Sequence, residues 1–200
     1  MIVRNVSRET KERLSHYAAL LEKWNPRINL VSRTSIAHLR DRHFEDSAQL
    51  YALASHHVAH WADLGSGGGF PGLVIAILAQ ETGSPARITL VESDARKSAF
   101  LRTVIRETGV TATVRTERIE STERLAADIL SARALADLPT LLRFAERHLS
   151  PTGTALFPKG VTWQQELSEA QSKWQFSHEV ATSETDPAAV ILRVTGVSRA

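Results

Sequence analysis

The spacing of apolar residues changes character near residue 58. Before it, apolar positions recur every three or four residues. Leu14, Tyr17, Ala18, Leu21 and Trp24 predict an amphipathic helix over residues 8–24. Ser7 suits its N-cap, and Asn25-Pro26 is expected to stop it. Residues 24–30 then read as a loop, because Asn25 and Asn29 favour turns. A second helical region is expected over 35–54, carrying Ile36, Leu39, Phe44, Ala48 and Leu50.

After residue 58, short apolar runs alternate with longer periodic ones. Strands are predicted at 59–64, 87–92, 111–115, 128–132, 154–157, 175–181 and 189–194, and helices at 71–81, 94–108, 137–148 and 162–173. Gly109 suits the residue that closes a helix, and Pro151 with Gly153 suit a stop after 137–148. This alternation implies an α/β fold: a mainly parallel seven-stranded sheet with helices on both faces, its last two strands a hairpin at one edge. Residues 1–57 are expected as a helical extension packed on a domain of residues 58–200, one compact unit overall. Ligands of such sheets sit at the carboxyl ends of the strands, near the point where the strand order reverses. That gathers residues 65–72, Glu92, the Ile119-Glu120 turn and Arg133 around one crevice.

The segment Asp63-Leu64-Gly65-Ser66-Gly67-Gly68-Gly69-Phe70-Pro71-Gly72 joins the first of those strands to a helix, with five glycines in eight residues. Glycines allow a sharp turn and a close approach of backbone to a ligand. Pro71 fits the first helical turn, whose free N–H groups are expected to attract phosphates or carboxylates of a nucleotide-like ligand. A phosphate-binding loop of the Gly-Lys-Ser/Thr kind is excluded, because Gly72-Leu73 stands there instead. A dinucleotide fingerprint is present as Gly67-Gly68-Gly69-Phe70-Pro71-Gly72, with Glu92 a further 20 residues on. The third reading is a methyltransferase loop. Asp63 would receive the amino-acid part of S-adenosylmethionine, and Glu92 the ribose hydroxyls. A hydride-transfer enzyme needs a substrate domain after its cofactor domain, whereas the later elements here complete one sheet. The extension is N-terminal and basic, which suits a macromolecular substrate. The methyltransferase reading is therefore preferred.

Composition narrows the field further. There are no cysteines, so disulfides, thiolate nucleophiles and cysteine-ligated zinc are excluded. Met1-Ile2-Val3-Arg4-Asn5 lacks the apolar core of a secretory leader, and no apolar run nears the roughly 20 residues of a membrane span. A cytoplasmic location without membrane contact is expected. Net charge is only +2, but 19 of the 24 basic residues are Arg, the side chain suited to planar contacts with phosphates and bases. Lys23, Arg27, Arg33, Arg40 and Arg42 stand against one acid, Asp41, over residues 23–42. Such a patch is either a nucleic-acid footprint or a solvated face. His56 and His60 have the spacing of a metal pair on a helix, but no third ligand accompanies them, and no metal is expected.

Trp24-Asn25 with Asn29-Leu30, His43 with Asp46-Ser47, the 63–72 loop, Leu90-Val91-Glu92-Ser93, Lys97, Phe100-Leu101, Arg133-Ala134 and Lys159-Gly160 occur in the order found in one family. On these residues the chain resembles, over nearly its whole length, the GidB/RsmG family of 16S rRNA guanine-N7 methyltransferases. It departs from that pattern at Ala132, where a Ser is usual, and at Gly68. The resemblance implies a Rossmann-like class I fold and S-adenosylmethionine contacts at Gly65, Phe70, Ile119, Glu120 and Arg133. Asp63, Gly67 and Glu92 are added from the wider methyltransferase pattern. It also implies 16S rRNA, in the small subunit or an assembly intermediate, as partner, with the decoding region as target; nothing in the sequence demands an oligomer, and a monomer is expected. Arg27, Arg33 and Arg40 are the candidate RNA contacts. No general base is expected, because guanine N7 carries a lone pair and no proton, and no catalytic residue is assigned. The rival readings are a dinucleotide-dependent oxidoreductase and a protein that binds RNA or a nucleotide without chemistry.

Overall fold

The structure, a computed structural model, describes residues 3–36, 39, 43–54 and 57–200, with the side chains of all but Arg4, Arg33 and Thr34. Its centre is β1 (His60–Leu64), a strand buried at all five positions. Parallel strands flank it on each side, β2 (Arg87–Val91) and β4 (Ala127–Ser131). With β3 (Thr113–Arg115), β5 (Leu149–Lys159), β6 (Trp174–Thr182) and β7 (Val190–Arg199) they form one seven-stranded sheet of order β3-β2-β1-β4-β5-β7-β6. β7 runs antiparallel between β5 and the edge strand β6, and the other pairings are parallel. The order reverses between β1 and β4, so their carboxyl ends open the crevice where α/β sheets take ligands.

Helices cover both faces, as a central parallel sheet requires. On one face lie α4 (Gly72–Thr82) and α5 (Ala95–Thr108), whose Ile75, Ile77, Phe100 and Leu101 join Leu14, Tyr17 and Leu21 of α1 (Arg8–Ile28) in a single core. Phe44, Ala48 and Leu50 close that core from α3 (Glu45–Leu53) and the residue before it. Phe44 is therefore core, as is the inner side of Trp24, which packs against Phe100. On the opposite face α6 (Leu138–His148) and α7 (Trp163–Gln171) bury Leu138, Leu142 and Ala170 against Phe157 and Leu192. Among the described residues no helix is long and apolar enough to cross a membrane.

Two expectations need correction, and a third is met where it can be followed. Helix α1 does not stop at Asn25-Pro26 but runs to Ile28, and Asn29 ends it in the left-handed conformation. Pro26 lies in the last turn at the cost of one i→i−4 hydrogen bond, and the buried Asn25 side chain accepts from Leu30 N and Val31 N at 2.7 and 2.9 Å. The helical region expected over 35–54 is helical at the described residues up to Leu53, in α2 (Arg33–Ile36), at residues 39 and 43–44, and in α3, while residues 37–38 and 40–42 lie outside the described residues. Pro151 and Gly153 lie inside β5 instead of in a helix stop. Leu149 pairs with Ala127, the register then shifts, and pairing resumes at Ile129 with Thr154, so Pro151 stands where the ladder is interrupted.

Candidate functional site

Asp63, near the end of β1, is the hub of the loop that follows it. Its cross-strand partner in β4 is Ser131, whose hydroxyl donates to Asp63 Oδ1 at 2.7 Å and itself accepts from Trp61 Nε1 at 2.9 Å. Asp63 Oδ2 accepts from Gly72 N, the first amide of α4, at 3.2 Å. The side chain is fully buried, and burial pushes its pKa up to about 6, against the bonds from Ser131, Ser66 and Gly72. This corrects one expectation. The start of α4 is buried and its first amide is spent on Asp63, so the helix end does not present itself to a phosphate. Gly72 is required there: a Cβ would lie 2.3 Å from Leu90 Cδ2 and 2.7 Å from Asp63 Oδ2.

The glycine turn is tied to β2 on its other side. Ser66 N donates to Val91 O at 3.1 Å, and Gly67 N to Glu92 Oε2 at 2.8 Å. Glu92 Oε1 accepts from Asp94 N at 2.8 Å, so the carboxylate is held rigidly while each oxygen keeps a lone pair. From the N-terminal side, Tyr17 donates its hydroxyl to Gly68 O and stacks on Phe44 and Phe70 at 5.5 and 5.4 Å.

These elements border a cavity of ≈ 410 Å³ at the carboxyl ends of β1 and β2. Gly65, Gly67, Glu92, Ile119 and Glu120 line it, together with Lys97 of α5. Five of the eight expected cofactor residues are thus brought together. Gly65 turns at φ 65°, and a Cβ on it would lie 2.5 Å from Leu135 Cδ1, so the floor is open only because glycine is there. Ile119 and Glu120 are positioned from beneath. His148, buried at the end of α6, hydrogen-bonds Ile119 O through Nε2 at 3.0 Å, and Arg147 donates to Thr122 O at 2.9 Å. Burial holds the His148 pKa below its ordinary value, so the ring is the neutral donor.

Asp63, Phe70 and Arg133 stand outside this lining. Phe70 is 5% exposed, with the His43 ring stacked on it at 4.8 Å and the Arg133 guanidinium 5.1 Å from its centroid. Arg133 also donates to His43 Nδ1 at 2.6 Å and pairs with Asp46 at 3.6 Å. Burial lowers the Arg133 pKa and the Asp46 carboxylate opposes it. His43 and Asp46, a helix-surface pair by spacing alone, are thus joined to the site through Arg133. Of the expected RNA contacts, Arg27 is exposed at the end of α1. The Arg33 side chain and all of Arg40 lie outside the described residues, as does His56. Among the described residues there is no group of three or more potential metal ligands. Sequence reasoning missed Tyr17, Ser131 and His148, whose contacts to the site come from distant segments.

A family model described as rRNA small subunit methyltransferase G matches residues 10–188. The chain is 57% identical over 195 residues to the ribosomal RNA small subunit methyltransferase G of Ruegeria pomeroyi, and 55% identical over 195 residues to that of another Ruegeria species. Each alignment covers 98% of this chain and 95% of the relative. Among solved structures it is similar to a TehB-like SAM-dependent methyltransferase from Corynebacterium glutamicum, with TM-score 0.60, 16% identity, and coverage of 91% of this chain and 98% of that one. It is also similar to an O-methyltransferase from Bacillus cereus in complex with SAH, with TM-score 0.58, 15% identity and coverage of 96% and 92%. At such identities the structural likeness establishes the Rossmann-like methyltransferase fold.

Proposed function

The chain belongs to the rRNA small subunit methyltransferase G family, and we propose that it methylates N7 of a guanine in the decoding region of 16S rRNA. It is an S-adenosylmethionine-dependent methyltransferase, and the oxidoreductase and non-catalytic readings give way to that one. The observation that carries the assignment of the site is the cavity floored by Gly65 and Gly67, walled by Glu92 and closed by the Ile119-Glu120 turn.

The residues present suit the cofactor. Gly65 leaves backbone bare where its methionine part would lie. The rigid Glu92 carboxylate suits a ribose diol, and the Ile119-Glu120 turn suits an adenine edge. Bound there, S-adenosylmethionine supplies an electrophilic methyl group. Phe70 and Arg133 support the loop from behind, and Asp63 braces it. Guanine N7 offers its lone pair without losing a proton, so none of these side chains has to act as a general base. The protein's part is to orient the base and exclude competing water. A monomer is taken as the working form. A base read in this way must be unstacked, which suits a loop of a subunit or of its assembly intermediate.

Two measurements test the reading. Calorimetry should show binding of S-adenosylmethionine and none of NAD. Small subunits lacking the modification should gain one methyl, and mass spectrometry of the nucleoside should identify N7-methylguanosine. A pH–rate limb traced to a single essential carboxylate or histidine would overturn transfer without a general base.

A further inference from the structure

The cofactor cavity has a neighbour. A second cavity of ≈ 380 Å³ shares Ala134 and Ala136 with it, so the two are separated by a single turn of backbone. Arg133, Lys159, Asp46 and Glu166 line this second cavity, with Leu141 and Pro158 as apolar wall. Among the described residues its charged groups are thus two cations and two carboxylates. That balance does not suit a phosphate, which calls for an excess of positive charge. It suits a neutral, flat molecule that carries both donors and acceptors on its rim.

Lys159 stands at the wall facing the cofactor: its Nζ donates to Ala136 O at 2.9 Å and to Glu166 Oε2 at 2.6 Å. An ammonium has three N–H groups, so one remains for an acceptor beside that wall. Glu166 also accepts from Leu138 N at 2.9 Å and so is fixed to the start of α6. Asp46 lines this cavity and also a smaller neighbouring one with Thr185 and Asp186, and its carboxylate accepts from Thr185 as well as pairing with Arg133.

Guanine carries two acceptors, N7 and O6, side by side on one edge, and two donors, N1–H and the 2-amine, on another. A guanine held with N7 toward the shared wall would offer O6 to Lys159 and its donor edge to Asp46, both of which line the cavity. Adenine in the same pose would set its 6-amine against the ammonium and an N1 acceptor against the carboxylate. We propose that the cavity bounded by Lys159 and Asp46 is the acceptor-base pocket, Lys159 reading O6 and Asp46 the N1–H/2-amine edge, so that guanine is selected over adenine. This rests on the reading above that guanine N7 is the acceptor.

Asp46→Asn and Lys159→Met test it, with undermethylated small subunits as substrate, mass spectrometry of the product and calorimetry of S-adenosylmethionine binding. Loss of one hydrogen bond to a charged group should lower kcat/KM for subunits about ten- to a hundredfold, with cofactor Kd unchanged within about threefold. Lys159→Met also deprives Glu166 of its partner. If that variant does not fold, Asp46→Asn, which keeps the shape of the side chain, decides alone. Folded variants that transfer at the wild-type kcat/KM overturn the assignment, as does a loss of cofactor affinity equal to the loss of transfer. A wild-type product other than N7-methylguanosine overturns the pocket together with the reading it rests on, and the nucleoside itself tells that outcome from the first.

Discussion

A carboxyl group with a pKa near 6 in the fold and an ordinary one in the unfolded chain binds a proton on folding. Asp63 is such a group. Its contribution is fully present below about pH 4 and is lost as pH rises through about 6, and the loss amounts to something on the order of 3 kcal/mol. Asp63→Asn cannot titrate, so the difference in unfolding free energy between wild type and variant should drift by that order across pH 4–7. Parallel stability–pH curves would refute it. Gly72→Ala probes the same contact from the helix side: the added carbon meets Leu90 and Asp63, and overpacking of this kind costs about 1–3 kcal/mol in denaturant unfolding. His148 makes the opposite acid response. Its pKa is depressed, so its contribution is present above the ordinary histidine range and is lost as pH falls through the folded value. Protonation would bury a charge whose Nδ1 has no hydrogen-bond partner among the described residues. His148→Leu should weaken S-adenosylmethionine binding at pH 7.5 by loosening Ile119, and calorimetry at that pH checks it.

Among the elements, the alternation of strands and helices after residue 58 is legible because it is written in local periodicity and in the glycines that close α4 and α5. Gly65, Gly67, Glu92, Ile119 and Glu120 are legible for a related reason: each follows a strand whose carboxyl end faces the crevice. The remaining support is not. Ser131, Tyr17 and His148 reach Asp63, Gly68 and Ile119 across 68, 51 and 29 positions of sequence. A hydroxyl or imidazole in an apolar stretch carries no sign of the partner it will meet. The end of α1 escapes local reading because the Asn25-Pro26 signal is a backbone rule, and the buried Asn25 side chain offsets it by accepting from Leu30 N and Val31 N beyond the helix end. Helix α6 joins distant functions, since its first turn meets the Lys159–Glu166 pair and its last holds the Ile119 turn.

At the scale of the whole molecule, the extension and the sheet share one core, and Leu30 lies against Gly68 beside the site. We propose that the basic residues of this extension, with Lys23 and Arg27 exposed on α1 among them, are the surface that meets RNA. Replacing Arg27, Arg33 and Arg40 by Glu should weaken binding to small-subunit RNA. It should also flatten the dependence of log K on log salt by roughly 0.7 for each phosphate that is no longer neutralised. An unchanged slope would move the RNA surface elsewhere. Tyr17 adds a consequence in time. A ribosome releases α1 long before the glycine loop it must grip, so the first helix made waits for α4 and α5 before it can dock. Until then the nascent chain holds every glycine of its loop and still has no finished seat for a methyl donor. Docking of α1 is then a first step, and the seat is complete only when β4 and α6 add Ser131 and His148.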